Sequence, residues 1–88
     1  MATTVAQRRW REKNRFVKTQ LNVMTRRLVH DDLTEISDSF RLRGKGEAVS
    51  FASFVTKGLQ QFAEYDQEAQ RLLEIFSAAY ERDRDLYQ

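Results

Sequence analysis

Between Lys18 and Thr25 the chain reads KTQLNVMT, where apolar and polar side chains alternate, whereas from Leu28 onward apolar residues recur at steps of three and four. In an extended strand successive side chains point to opposite faces, so Thr19, Leu21 and Val23 share one side and Lys18, Gln20, Asn22 and Met24 the other. The stretch also fits a helix, because Leu21, Met24 and Leu28 keep helical spacing and neither Pro nor Gly occurs between Phe16 and Arg43. A strand over Lys18 to Thr25 is the expectation, and one long helix over Val17 to Arg43 its rival.

Beyond this stretch the pattern is helical. Leu28 or Val29, Leu33, Ile36 and Phe40 mark one apolar stripe and predict a first helix from about Arg27 to Arg43. Asp31, Asp32, Glu35 and Asp38 fall off that stripe, and acids in the early turns suit the positive end of the helix dipole. Gly44 is expected to end this helix in the left-handed conformation, with Arg41 and Arg43 in the final turn and Lys45–Gly46 as a short connection. A second helix is predicted from Gly46 or Glu47 to about Tyr65, and it is apolar on most sides: Val49, Phe51, Phe54, Val55, Leu59 and Phe62 fit no single stripe. In so short a chain such a helix implies a core completed by a second copy. Gly58 within it is tolerable if two backbones approach there. Asp66 either caps a third helix or is passed through by the second, and Ala69, Leu72, Leu73, Phe76, Ala79 and Tyr80 then form another stripe. That last stripe suits packing within the protein, or a docking surface for another protein.

Composition narrows the partners. Through Arg27 the chain has eight basic residues against one acid, while from Gly46 onward four basic residues face eight acids. A basic end joined to an acidic one directs only the first toward a polyanion. Arg8, Arg9, Arg11, Lys13 and Arg15 lie on every side of any helix they form, so residues 1–16 read as a basic arm for nonspecific phosphate contact. Trp10 is the single tryptophan, and packing is the usual fate of so large a ring. There is no Cys, which removes disulfides and thiolate chemistry and fits a reducing compartment. No apolar run reaches signal-peptide or membrane-spanning length, so a cytoplasmic protein without membrane contact is expected.

Basic arm, strand, helix, tight glycine turn and second helix, with KTQLNVMT before the first helix and RGKGEAV opening the second, resemble the ribbon-helix-helix DNA-binding family over about Val17 to Phe62. The resemblance implies a mainly α fold with one short strand paired across an intertwined homodimer, the antiparallel ribbon lying in the major groove of double-stranded DNA. It implies base reading from the outward strand face, at Lys18, Gln20, Asn22 and Met24, with Leu21 and Val23 in the core. It also implies a phosphate held by the backbone amides at Lys45, Gly46 and Glu47. Gln and Asn are suited to the first task, since each can form two hydrogen bonds with the major-groove edge of adenine. Two features depart from the family: Met24 stands where members often carry Arg or Lys, and the spacing from Gln20 to Gly44 is longer by roughly one helical turn.

The resulting domain reading is a basic arm at 1–16, a DNA-binding and dimerisation domain at 17–65 and a C-terminal helical extension at 66–88. Higher oligomers than a dimer stay open. Enzymatic chemistry is not expected: His30 is the only histidine, its neighbours Asp31 and Asp32 do not converge with it on a helix, and no phosphate-binding glycine loop or nucleophile motif occurs. No cofactor or metal is implied. The expected function is sequence-specific DNA binding by a bacterial or phage transcriptional repressor. An antitoxin or a plasmid-maintenance or DNA-transfer accessory protein would use the same fold, and an all-helical interaction module with a basic arm is the alternative from another class.

Overall fold

The computed structural model describes residues 15–88; residues 1–14, and with them Arg8, Arg9, Arg11, Lys13 and Trp10, lie outside the described part. Three helices, α1 (Arg27–Ser39), α2 (Lys45–Phe62) and α3 (Gln67–Tyr87), make up 70% of it. The protein is mainly α. Residues 18–26 are neither helical nor paired into a strand ladder, so the long helix over Val17 to Arg43 does not form.

Helix α1 starts where its apolar stripe starts, but it ends four residues before the expected Arg43. The cause is a left-handed residue at Arg41, φ 56°, rather than at Gly44. With Phe40 as C-cap, the Leu42 N–H donates to the Ser37 carbonyl at 2.8 Å and the Arg41 N–H to the Asp38 carbonyl at 3.4 Å. That is the paired bonding of a Schellman ending, and the Ser37 hydroxyl adds a bond to the Leu42 carbonyl at 3.2 Å. Arg41 and Arg43 therefore lie past the helix, and its last turn contains no base. Nor does its first turn contain an acid, because Asp31 falls one residue beyond it.

Gly44 is used at the start of α2 instead. As N-cap it has φ 131° and ψ −168°, a region essentially restricted to glycine. Lys45, expected in the turn, is already the first helical residue. Glu47 reaches back from the first turn and accepts the N–H of Arg43, the residue before the N-cap, at 3.1 Å, one side of the bonding that an acid supplies at a helix start. The five residues 40–44 thus form the connection. At the other end of α2 the chain breaks at Ala63–Tyr65, and the Asp66 carboxylate accepts the Ala69 N–H at 3.0 Å. Asp66 caps a separate α3.

α1 packs on α2, with Val29, Leu33 and Ile36 half-buried, Ala48 fully buried, and the rings of Phe40 and Phe51 4.5 Å apart at their centres. That packing is thin. Among the described residues Ala48 and Ala69 are the only buried apolar ones, and no large side chain is fully enclosed. Phe54, Leu59 and Phe62 on α2, and Leu72, Ile75 and Phe76 on α3, all stay exposed.

At Gly58 an added Cβ would meet nothing within 4 Å. Gly58→Ala is therefore expected to raise the unfolding free energy by about 0.5–1 kcal/mol through helix propensity alone. A measured drop in a thermal or urea melt would mean that a second backbone lies against this position.

Candidate nucleic-acid interface

The stretch before α1 is the first component. Leu21, Val23 and Thr25, at alternate positions, line an apolar cleft of about 420 Å³ together with Val29 and Leu33 of α1 and Val49 of α2. Gln20, Asn22 and Met24 do not line it, and Lys18, Gln20, Asn22 and Met24 are all exposed, Met24 completely. Leu21 and Val23 touch the cleft yet keep 73% and 61% of their surface. The cleft is thus roofed on one side only. Among the described residues, no backbone group of 18–25 has a backbone hydrogen-bond partner.

Cations gather where this stretch meets the two helix starts. Arg26 is the N-cap of α1 and Arg27 its first residue, and the cap makes no side-chain hydrogen bond. Positive charge at the positive end of a helix opposes folding by about 0.3–1 kcal/mol, a cost that a bound anion removes. Arg27 lines a polar concavity together with Lys45, the first residue of α2, so both helix starts contribute to one patch. Lys45 Nζ stands 3.4 Å from His30 Nδ1. At the α2 start, the N–H groups of Lys45, Gly46 and Glu47 have no helical acceptor, which is the ordinary state of a first turn. Glu47 itself brings a carboxylate there, bonded to the Arg43 amide and 4.0 Å from the Arg43 guanidinium.

Compared with known proteins, the chain matches no family model, no curated protein and no solved structure.

Of the expected site residues, Lys18, Gln20, Asn22, Met24 and Arg15 are exposed, and Lys45, Gly46 and Glu47 occupy the first turn of α2. The Arg15 guanidinium lies 5.7 Å from the ring centre of the equally exposed Phe16. Arg8, Arg9, Arg11 and Lys13 are outside the described residues. The sequence pattern counts Arg26 and Arg27 only toward the basic charge of the first 27 residues and weighs His30 only for acid–base or metal chemistry, so none of the three is expected there as an anion contact. A signal for the first two is present in the pattern, namely two bases where a helix start favours acids. Among the described residues, no group of three His, Cys, Asp or Glu side chains is placed to hold a metal, and no helix is long and apolar enough to cross a membrane.

Arg26→Asp supplies a good N-cap and removes the adverse charge. It is expected to stabilise the fold by about 1 kcal/mol in a thermal melt. The same change should weaken binding to duplex DNA of any sequence, as read by fluorescence anisotropy at low salt. Unchanged affinity would mean that the α1 start lies away from the phosphates.

Proposed function

We propose that this chain is a homodimeric DNA-binding protein of the ribbon-helix-helix type, reading duplex DNA through residues 18–25 of two paired copies. One observation carries the reading: alternation along this stretch turns Leu21, Val23 and Thr25 to the cleft between α1 and α2, and leaves Gln20, Asn22 and Met24 facing away. Its backbone, free of partners among the described residues, is suited to a second strand. An isolated two-stranded ribbon is marginal in water, so it needs a hydrophobic support. The half-roofed cleft and the uncovered face of α2 supply that support once a second copy closes over them.

In this reading Lys18, Gln20, Asn22 and Met24 enter the major groove. Gln20 and Asn22 offer paired hydrogen bonds to adenine edges, and Met24 an apolar contact to a thymine methyl. Arg15, the arm and the amides at Lys45, Gly46 and Glu47 hold phosphates. The biological role that fits is transcriptional repression in a bacterial or phage setting.

The test is duplex binding at several salt concentrations, with footprinting on the DNA upstream of the gene. The logarithm of the affinity is expected to fall linearly with the logarithm of salt, and one protected segment with two-fold symmetry should appear. Arg15→Ala should reduce the salt slope by about one unit for each phosphate that the side chain neutralises, without altering which sequence is preferred. Salt-independent binding, or none, would refute the proposal.

A further inference from the structure

His30 points to a role that the base-reading account does not use. It lies on α1 between Arg27 and Asp31, all three lining a concavity of about 450 Å³ with Thr25, Thr34 and, across from α1, Lys45. The Thr34 hydroxyl donates to the His30 carbonyl at 3.1 Å, so that oxygen is occupied. Lys45 Nζ is 3.4 Å from His30 Nδ1. An ammonium group has only donors, so this contact is a hydrogen bond only when Nδ1 is an acceptor, that is, when the ring is neutral with its proton on Nε2. Protonating the ring breaks that bond and sets imidazolium beside ammonium, with Arg27 on the same concavity. Three cations from two helices then face one concavity, where an anion offsets their repulsion in competition with Asp31.

We propose that His30, Lys45 and Arg27 form a phosphate clamp in which His30 takes up a proton from solvent as a DNA phosphate enters. This rests on the DNA-binding reading for the identity of the phosphate, and on side-chain geometry for the site itself. The charged groups facing the ring are Lys45 from α2, and Arg27 and Asp31 from α1. Asp31 is the one that opposes an anion, and it offers the imidazolium a competing partner. Histidine is the side chain that changes charge across the physiological range, so the coupling has a signature in pH. Whatever anion binding does for proton uptake, proton uptake does equally for anion binding.

Two measurements on the full chain separate the clamp from the reading it rests on. In the first, duplex affinity is compared at about pH 8 and pH 6 at constant ionic strength. The wild type is expected to gain roughly fivefold or more at the lower pH. His30→Gln, which keeps an acceptor for Lys45 but cannot become cationic, should lose most of that gain. Asp31→Asn should bind more tightly at both pH values. Equal pH dependence in the wild type and His30→Gln would overturn the clamp even if DNA binding itself holds. In the second, the imidazole resonance of the single histidine is titrated with and without inorganic phosphate. Phosphate should move its midpoint upward in the wild type and leave it in place in Lys45→Met. If the chain binds no duplex at all, the DNA reading fails and the phosphate titration still decides the clamp. A midpoint that ignores phosphate, or one that moves equally in Lys45→Met, overturns it.

Discussion

Leu21→Ala is expected to destabilise the protein by about 2–4 kcal/mol, lowering a melting temperature that rises with protein concentration in wild type and variant alike. In a single chain that cost has no source. Leu21 keeps 73% of its surface, and truncating so exposed a side chain usually changes stability by less than about 0.5 kcal/mol. Closure of the cleft by a second copy turns the same residue into a core position, where the forfeited transfer energy and the residual cavity add together. Val23→Ala should act in the same direction with a smaller effect, having fewer carbons to remove. Chemical denaturation at several protein concentrations checks both. The dimer reading further requires that no folded monomer survive dilution in sedimentation equilibrium. A dilution-stable folded monomer, or an effect of Leu21→Ala within the surface range, would remove the second copy from the account.

The complementary result concerns the opposite face. Gln20→Ala or Asn22→Ala should cost on the order of 1–3 kcal/mol on the preferred site while leaving nonspecific duplex affinity and the melting temperature nearly unchanged. The two residues are two apart, so on a strand they share a face, and a symmetric partner sets the same pair beside them. On a helix they would diverge by about 200° and could not address neighbouring bases together. The double dissociation is the informative part. If Gln20→Ala unfolds the protein and Leu21→Ala only abolishes recognition, the register is shifted by one residue, since a one-residue slip exchanges the two faces. If all four variants lose stability and none affects DNA, the stretch does not read DNA.

Much of the helical part was legible because its signals are local. The period of Val29, Leu33 and Ile36 marks α1, while at Asp66 the sequence allows either a cap or a continuous helix, and the bond from the Ala69 N–H to its carboxylate decides for a separate α3. The end of α1 was misread for a definite reason. A glycine just past an apolar stripe usually takes the left-handed position, but here Arg41 takes it, held by the Leu42-to-Ser37 and Arg41-to-Asp38 bonds. Gly44 is needed at the next helix start, where φ 131° admits no other residue without strain. The sequence assigns a role only to the backbone amide of Glu47; the bond from the Arg43 N–H to its carboxylate depends on the shape of the 40–44 connection.

Proximity between elements was not legible at all. The approach of Lys45 to His30 joins residues fifteen apart and exists only because α1 and α2 pack with their starts together. No periodicity encodes that. From Gln20 to Thr25 the alternation in KTQLNVMT separates the side chains that line the cleft from those that do not, whereas Thr19, on the same side of the expected strand as Leu21, does not line it. Turning that alternation into a ribbon takes a partner strand, which a single chain does not supply.

The absence of cysteine allows that last point to be measured without background. Single cysteines placed in turn at Gln20, Leu21, Asn22, Val23 and Met24 can form a disulfide only where two Cα atoms approach to about 4.4–6.8 Å. Two strands paired antiparallel about a two-fold axis bring just the residues nearest that axis so close to their own copies. Mild oxidation of the dimer should therefore give a covalent dimer at one position or two adjacent ones, falling off on either side, and that species should still bind duplex DNA. Uniformly absent cross-linking across the five positions would contradict the paired strand, and with it the proposed mode of reading DNA.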